Sequence, residues 1–129
     1  MTWNDYIDET RENIKEYLRE NYSKEELQDY ISLDRLKDNL FMSDSVTGNA
    51  SGSYTCNSYQ AEQNVSGILW DSEFIEILYN TYGEDIGDCM KHGAEYLDVT
   101  ARVLALEYMD LQEVIDEVYK EMEEEQCTN

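Results

Sequence analysis

The chain has 129 residues, 41% of them hydrophobic, and thirty acids against nine bases leave a formal net charge of −21. That length and apolar fraction suit a single folded domain over 1–129, burying roughly two-thirds of its unfolded surface, and they exclude a disordered polyanion. No apolar run approaches the ~20 residues of a membrane span, and Met1–Asp5 lacks a basic, apolar leader, so the sequence predicts a cytoplasmic protein with no membrane partner.

There is no proline and there are only six glycines, so helices can run on and the glycines mark where they stop. Trp3, Ile7, Thr10, Ile14, Leu18 and Asn21 or Tyr22 keep helical spacing and predict a first helix over about residues 3–22. Ser23-Lys24-Glu25-Glu26 is a capping box that opens a short helix with Leu27, Tyr30 and Ile31 inward. Leu33, Leu36, Leu40 and Phe41 carry the apolar face onward past a bend near Ser32.

Residues 43–57, SDSVTGNASGSYTCN, break the pattern with residues that favour turns through side-chain bonds and positive φ. Gly52–Thr55 is the one stretch with strand character. Asn57 is placed to cap a helix bearing Tyr59 and Val65 and stopped at Gly67. Asp71 or Ser72 caps the next, with Phe74, Ile75 and Leu78, which ends near Gly83. A brief helical stretch around Ile86, Cys89 and Met90 closes at Gly93. Tyr59, Tyr79 and Tyr82 read as core or boundary residues, with a partner surface as the alternative because tyrosine is favoured at interfaces. Finally Leu97, Ala101, Leu104, Tyr108, Leu111, Ile115, Val118 and Met122 alternate in steps of four and three. That seam predicts one long helix from about 95 to 124, with Asp98 as an alternative start. The expected fold is mainly α: a compact bundle of about five to six helices, one long Ser/Thr/Gly/Asn-rich loop and at most a minor β element.

The acids are unevenly placed. Asp5, Glu9, Glu12, Glu16 and Glu20 form a stripe opposite the apolar face of the first helix, and Arg11, Lys15 and Arg19 can pair with Asp8, Glu12 and Glu16 three residues back. From residue 43 onward nineteen acids face only Lys91, Arg102 and Lys120. On the last helix Asp110, Glu113, Glu117, Glu121 and Glu124 form a second stripe, with Asp116, Glu123 and Glu125 beside it. A rigid row of unpaired carboxylates can imitate the phosphates of a nucleic acid, one per ~3.4 Å of axis in a DNA strand. The plainer reading is a solvated helix face. The excess goes beyond the magnitude of ~2 to 8 that solubility asks of a small domain, however, and works against compaction.

Signals for catalysis are sparse. His92, the one histidine, precedes Gly93 and reads as a cation at a helix C-terminus. It has no second histidine with which to hold zinc. Cys56, Cys89 and Cys127 form no C-x-x-C pair and read as reduced thiols. There is no phosphate-binding glycine loop, and 44–55 lacks the spacing of a calcium loop. A non-enzymatic chain without cofactor or metal is expected. The other unusual feature is the 44–55 loop, where Thr47, Gly48, Asn49, Ser51, Gly52 and Tyr54 suit either a recognition loop or a long connection built from tight turns.

DSVTGNASGSYTCN, the following Tyr59-Gln60-Ala61-Glu62, and Glu95-Tyr96-Leu97-Asp98-Val99-Thr100-Ala101-Arg102 resemble a group of small acidic proteins of phages and prophages of gut Firmicutes. The similarity runs from about residue 36 to 110, and TGN-x-SGSYT is its most specific part. The resemblance brings no functional residues. It implies a mobile-element setting, where small acidic proteins akin to DNA mimics inhibit restriction or CRISPR nucleases, an analogy of context and not of site. The leading expectation is therefore a phage-type inhibitor. Its acidic face (Asp110, Glu113, Asp116, Glu117, Glu121, Glu124) would occupy the basic nucleic-acid-binding groove of a host defence nuclease, with no direct nucleic-acid contact. The alternative is a binding module that uses the 44–55 loop, its acidity serving solubility alone.

Overall fold

The computed structural model describes residues 1–29, 31–48 and 58–127. The helices are α1 (Trp3–Asn21), α2 (Lys24–Gln28), α3 (Leu33–Phe41), α4 (Asp44–Thr47), α5 (Ser58–Val65), α6 (Ser72–Tyr82), α7 (Ile86–Met90), α8 (Ala94–Glu107) and α9 (Leu111–Cys127), with a 3₁₀ turn over Ile68–Trp70. The class is mainly α, with no strand among the described residues, but the helices are more numerous and shorter than five to six. Gly52–Thr55 and Asn57 lie outside the described residues. No helix among those described is long and apolar enough to cross a membrane.

Caps set most boundaries. Thr2 and Asp5 form a capping box at the start of α1, and Ser23 and Glu26 form the expected one at α2. Ser32 caps α3 at the predicted bend. Gly83 ends α6 in the left-handed region at φ 68°, where a side chain is disfavoured. Gly93, at φ 95°, starts α8, which rules out Asp98 as the first residue of that helix.

The predicted long last helix is two helices. Tyr108 closes α8, and Asp110 opens α9 by accepting from the Glu113 amide at 3.2 Å. The break preserves helical phase, so Leu104, Leu111, Ile115 and Val118 are all buried while Tyr108 between them is exposed.

Two apolar clusters form the core. The first joins Trp3 and Tyr6 of α1 to Val65, Ile68, Phe74, Leu78 and Cys89, and to Leu97, Ala101, Leu104 and Ala105 of α8. The second joins Ile14 and Leu18 of α1 to Leu27, Leu36, Leu40, Val46 and the inner face of α9. One helix, α1, thus serves both halves of the core, with Tyr6 fully buried in place of the predicted Ile7. Each such large apolar side chain contributes roughly 1.5–3 kcal/mol on burial.

Asp71 ties the two ends of the first cluster together. Its Oδ1 accepts from the amides of Glu73 and Phe74, capping α6, while Oδ2 accepts from the Trp3 amide at 2.8 Å. Asp71→Ala should therefore lower stability by about 1–3 kcal/mol, a lost cap plus a stranded α1 amide. Asp71→Asn, which keeps a capping oxygen, should lose less. The midpoints of urea unfolding curves test both.

Candidate functional site on the α1–α9 face

The bases of α1 do not spend themselves mainly on their own helix. Arg11 donates to Glu117 at 2.9 Å and reaches Glu113 at 3.5 Å; Lys15 donates to Glu117 at 3.2 Å and Glu121 at 2.7 Å; Arg19 donates to Glu121 at 2.7 Å and Glu125 at 3.1 Å. Every base therefore meets the acids 102 and 106 positions further along the chain. A constant offset means that α1 and α9 run parallel, and steps of four on each helix keep the rungs in register. Of the expected contacts within α1, Lys15 with Glu12 at 3.7 Å is formed. The others give way to the cross-helix ladder.

This corrects the charge map drawn from the sequence. Glu113, Glu117 and Glu121 belong to a closed ladder, and the bases opposite them come from the other end of the chain. The Lys15 ammonium is mostly shielded from water, and its hydrogen bond to Glu121 holds its pKa above the ordinary lysine value despite burial. The same bonds from Lys15, reinforced by Arg19 at Glu121 and Arg11 at Glu117, hold both carboxyls below the usual carboxylate range.

Outside the ladder the acids turn to solvent. Glu12, Glu16 and Glu20 of α1 are exposed on one side of it, and Asp116, Glu123 and Glu124 of α9 are exposed as well. Between the helices lies an open groove of about 600 Å³ lined by Glu12, Lys15, Glu16, Arg19, Glu121, Glu124 and Glu125. Asp110 is spent as a cap, and Asp116 accepts from Gln112 on the same helix.

The loop residues fare differently. Thr47 is buried and donates to the carbonyls of Ser43 and Phe41, and Gly48 is buried at the end of α4 with φ 90°. Thr47 is thus turned inward, while Gly48 lines the edge of a groove shared with Glu9, Asn13 and Arg102. Asn49, Ser51, Gly52 and Tyr54 lie outside the described residues. Tyr59, Tyr79 and Tyr82, read as core or boundary from the sequence, are exposed. His92 is exposed beyond the end of α7, its ring 4.8 Å from that of Tyr96.

One constellation escaped the sequence. Asp98, fully buried on α8, accepts from the Tyr6 hydroxyl at 2.7 Å and from Arg102 Nε at 3.3 Å. Arg102 also reaches Glu9 at 3.3 Å, and its guanidinium lies 5.4 Å from the centre of the Tyr6 ring. Burial opposes the charge on Arg102, and the two carboxylates outweigh it, holding its pKa above the ordinary arginine value. A groove of about 450 Å³ beside Arg102 is bounded by Glu9, Asn13 and the α4 segment Asp44–Val46. The one available signal was Asp98 and Arg102 at i,i+4, a spacing too common in an acidic helix to stand out.

Comparison with protein-family models, curated proteins and solved structures gives no match.

Proposed function

We propose that the chain is a phage-type acidic inhibitor that occupies the basic nucleic-acid-binding groove of a host defence nuclease. The observation that carries this reading is the contrast between the inner and outer charges of the α1–α9 face. The ladder uses the three bases of α1 to hold two helices parallel, while Glu12, Glu16 and Glu124 line one open groove and Glu20, Asp116 and Glu123 are exposed elsewhere on the same two helices. Carboxylates four residues apart on such a helix recur about every 6 Å along its axis. A basic groove that binds DNA would exchange its counterions for them as it does for phosphates.

Charge removal at Glu113, Glu117 and Glu121 would loosen the fold along with the surface, so the informative variant neutralises Glu16, Glu20, Glu123 and Glu124 to glutamine. The immobilised chain should capture from host lysate, at low salt, a basic nucleic-acid-binding protein that duplex DNA then displaces. The fourfold glutamine variant should capture less of it and show a flatter salt dependence. A partner retained equally by both chains at every salt concentration and indifferent to DNA would sink mimicry. It would favour a binding module whose acidity serves solubility, for which the exposed tyrosines are the supporting feature.

A further inference from the structure

Away from the ladder, α6 carries an apolar and aromatic stripe that the described residues leave partly exposed. Ile75, Tyr79 and Tyr82 stand at i, i+4 and i+7 and so share one flank of the helix. Tyr79 is 62% exposed and Tyr82 46%, while Phe74 and Leu78 of the same helix are fully buried. Trp70, just ahead of the Asp71 cap, is 88% exposed. The Tyr82 hydroxyl, its pKa raised chiefly by partial burial, also feels the charge of Glu107 and Tyr96 of α8. Tyr96 is itself exposed.

The electrostatics of this patch are one-sided. Residues 58–107 hold ten acids and two bases. Lys91 is tied to Asp88 at 3.1 Å, and Arg102 is buried against Asp98 and Glu9. Glu73, Glu76 and Glu107 are exposed on the helices that flank the rings. Exposed aromatic faces set among carboxylates and away from cations suit one chemistry above others. A planar guanidinium can stack on a tyrosine while its edge pairs with an acid, which an ammonium does less well.

We infer that the α6–α8 flank is a docking surface for an arginine-bearing segment of a basic protein partner, separate from the α1–α9 groove. This rests on the reading that the partner is basic, and it names a second contact and a preference for arginine over lysine. Trp, Tyr and Arg are also the residue types that concentrate binding energy at interfaces.

The test titrates the full chain with a nona-arginine peptide and, separately, with nona-lysine of equal charge, following backbone amide shifts and affinity at low salt. The expected result is tighter binding of nona-arginine, with its shifts centred on residues 70–82 and 96–107. Tyr79→Ala with Tyr82→Ala should cut that preference by about two- to fivefold per ring. Tyr79→Phe with Tyr82→Phe keeps the ring faces and should preserve it, which separates stacking from any effect on folding. Shifts centred on α1 and α9, or a preference unchanged by the alanine pair, would overturn this inference and leave the basic-partner reading standing. Failure of both peptides to bind at low salt would overturn both.

Discussion

Asp98→Ala is expected to cost about 3–5 kcal/mol, because it strands the Arg102 guanidinium inside the core with half of its compensation gone. Against a total stability of about 5–15 kcal/mol for a domain of this kind, that loss brings the chain close to unfolding at moderate temperature. The Tyr6 hydroxyl loses its acceptor in the same variant. Glu9 does not rescue the site, since it lies at the rim and shares its charge with water. The pair Asp98→Leu with Arg102→Met should recover most of the loss, as apolar replacement of a whole buried ion cluster is often neutral or better. Urea unfolding of the two variants distinguishes the outcomes. A cost below about 1 kcal/mol for Asp98→Ala would show that the cluster is not a stability element.

The second large effect belongs to Lys15, the middle rung of the ladder. Lys15→Glu puts a further carboxylate among Glu12, Glu117 and Glu121 and should lower stability by about 2–4 kcal/mol. Lys15→Met keeps the buried stem and loses only the charge, so it should cost about half as much. The pH dependence has a defined sign. Glu117 and Glu121 have lowered pKa values, so their contribution is present above the unfolded carboxylate pKa and is lost as pH falls through the lowered values. Lys15 has a raised pKa, so its share is present below the unfolded lysine pKa and is lost as pH rises through the raised value. The stability gap between the native chain and Lys15→Met should be flat around neutrality and close at both extremes. A gap that persists in acid would assign the effect to packing and not to charge.

Much of the fold was legible because caps and glycines punctuate it. The first helix, the Ser23 capping box, the Ser32 bend and the stop at Gly83 follow from local chemistry that acts within a few residues, while Gly93 marks the start of α8 and not the end of α7. The break at Tyr108–Asp110 was hidden for a physical reason. It uses neither proline nor glycine, its capping aspartate sits among many acids, and the apolar seam stays in phase across it.

The candidate site was half legible. Its acids were visible as stripes, but the bases that meet the α9 acids lie more than a hundred residues away, and the sequence offered those bases nearer carboxylates in Asp8, Glu12 and Glu16. The matching steps of four in Arg11, Lys15, Arg19 and in Glu113, Glu117, Glu121 were the only sign that the two rows belong together. Nothing short of the fold reveals that Asp98 faces Tyr6, because a buried carboxylate in an acidic chain has the same sequence signature as an exposed one.

The parallel ladder also sets an order of events during synthesis. Arg11, Lys15 and Arg19 leave the ribosome long before the acids that will hold them, which lie 102 to 106 residues later. At about 5–20 residues per second, that is an interval of several seconds or more. Throughout it, Ile14 and Leu18 lack the α9 side of their cluster, and the adjoining cations have only local carboxylates for company. The emerging chain therefore shows the cell an apolar ridge, edged by three cations, whose apolar side the finished molecule covers.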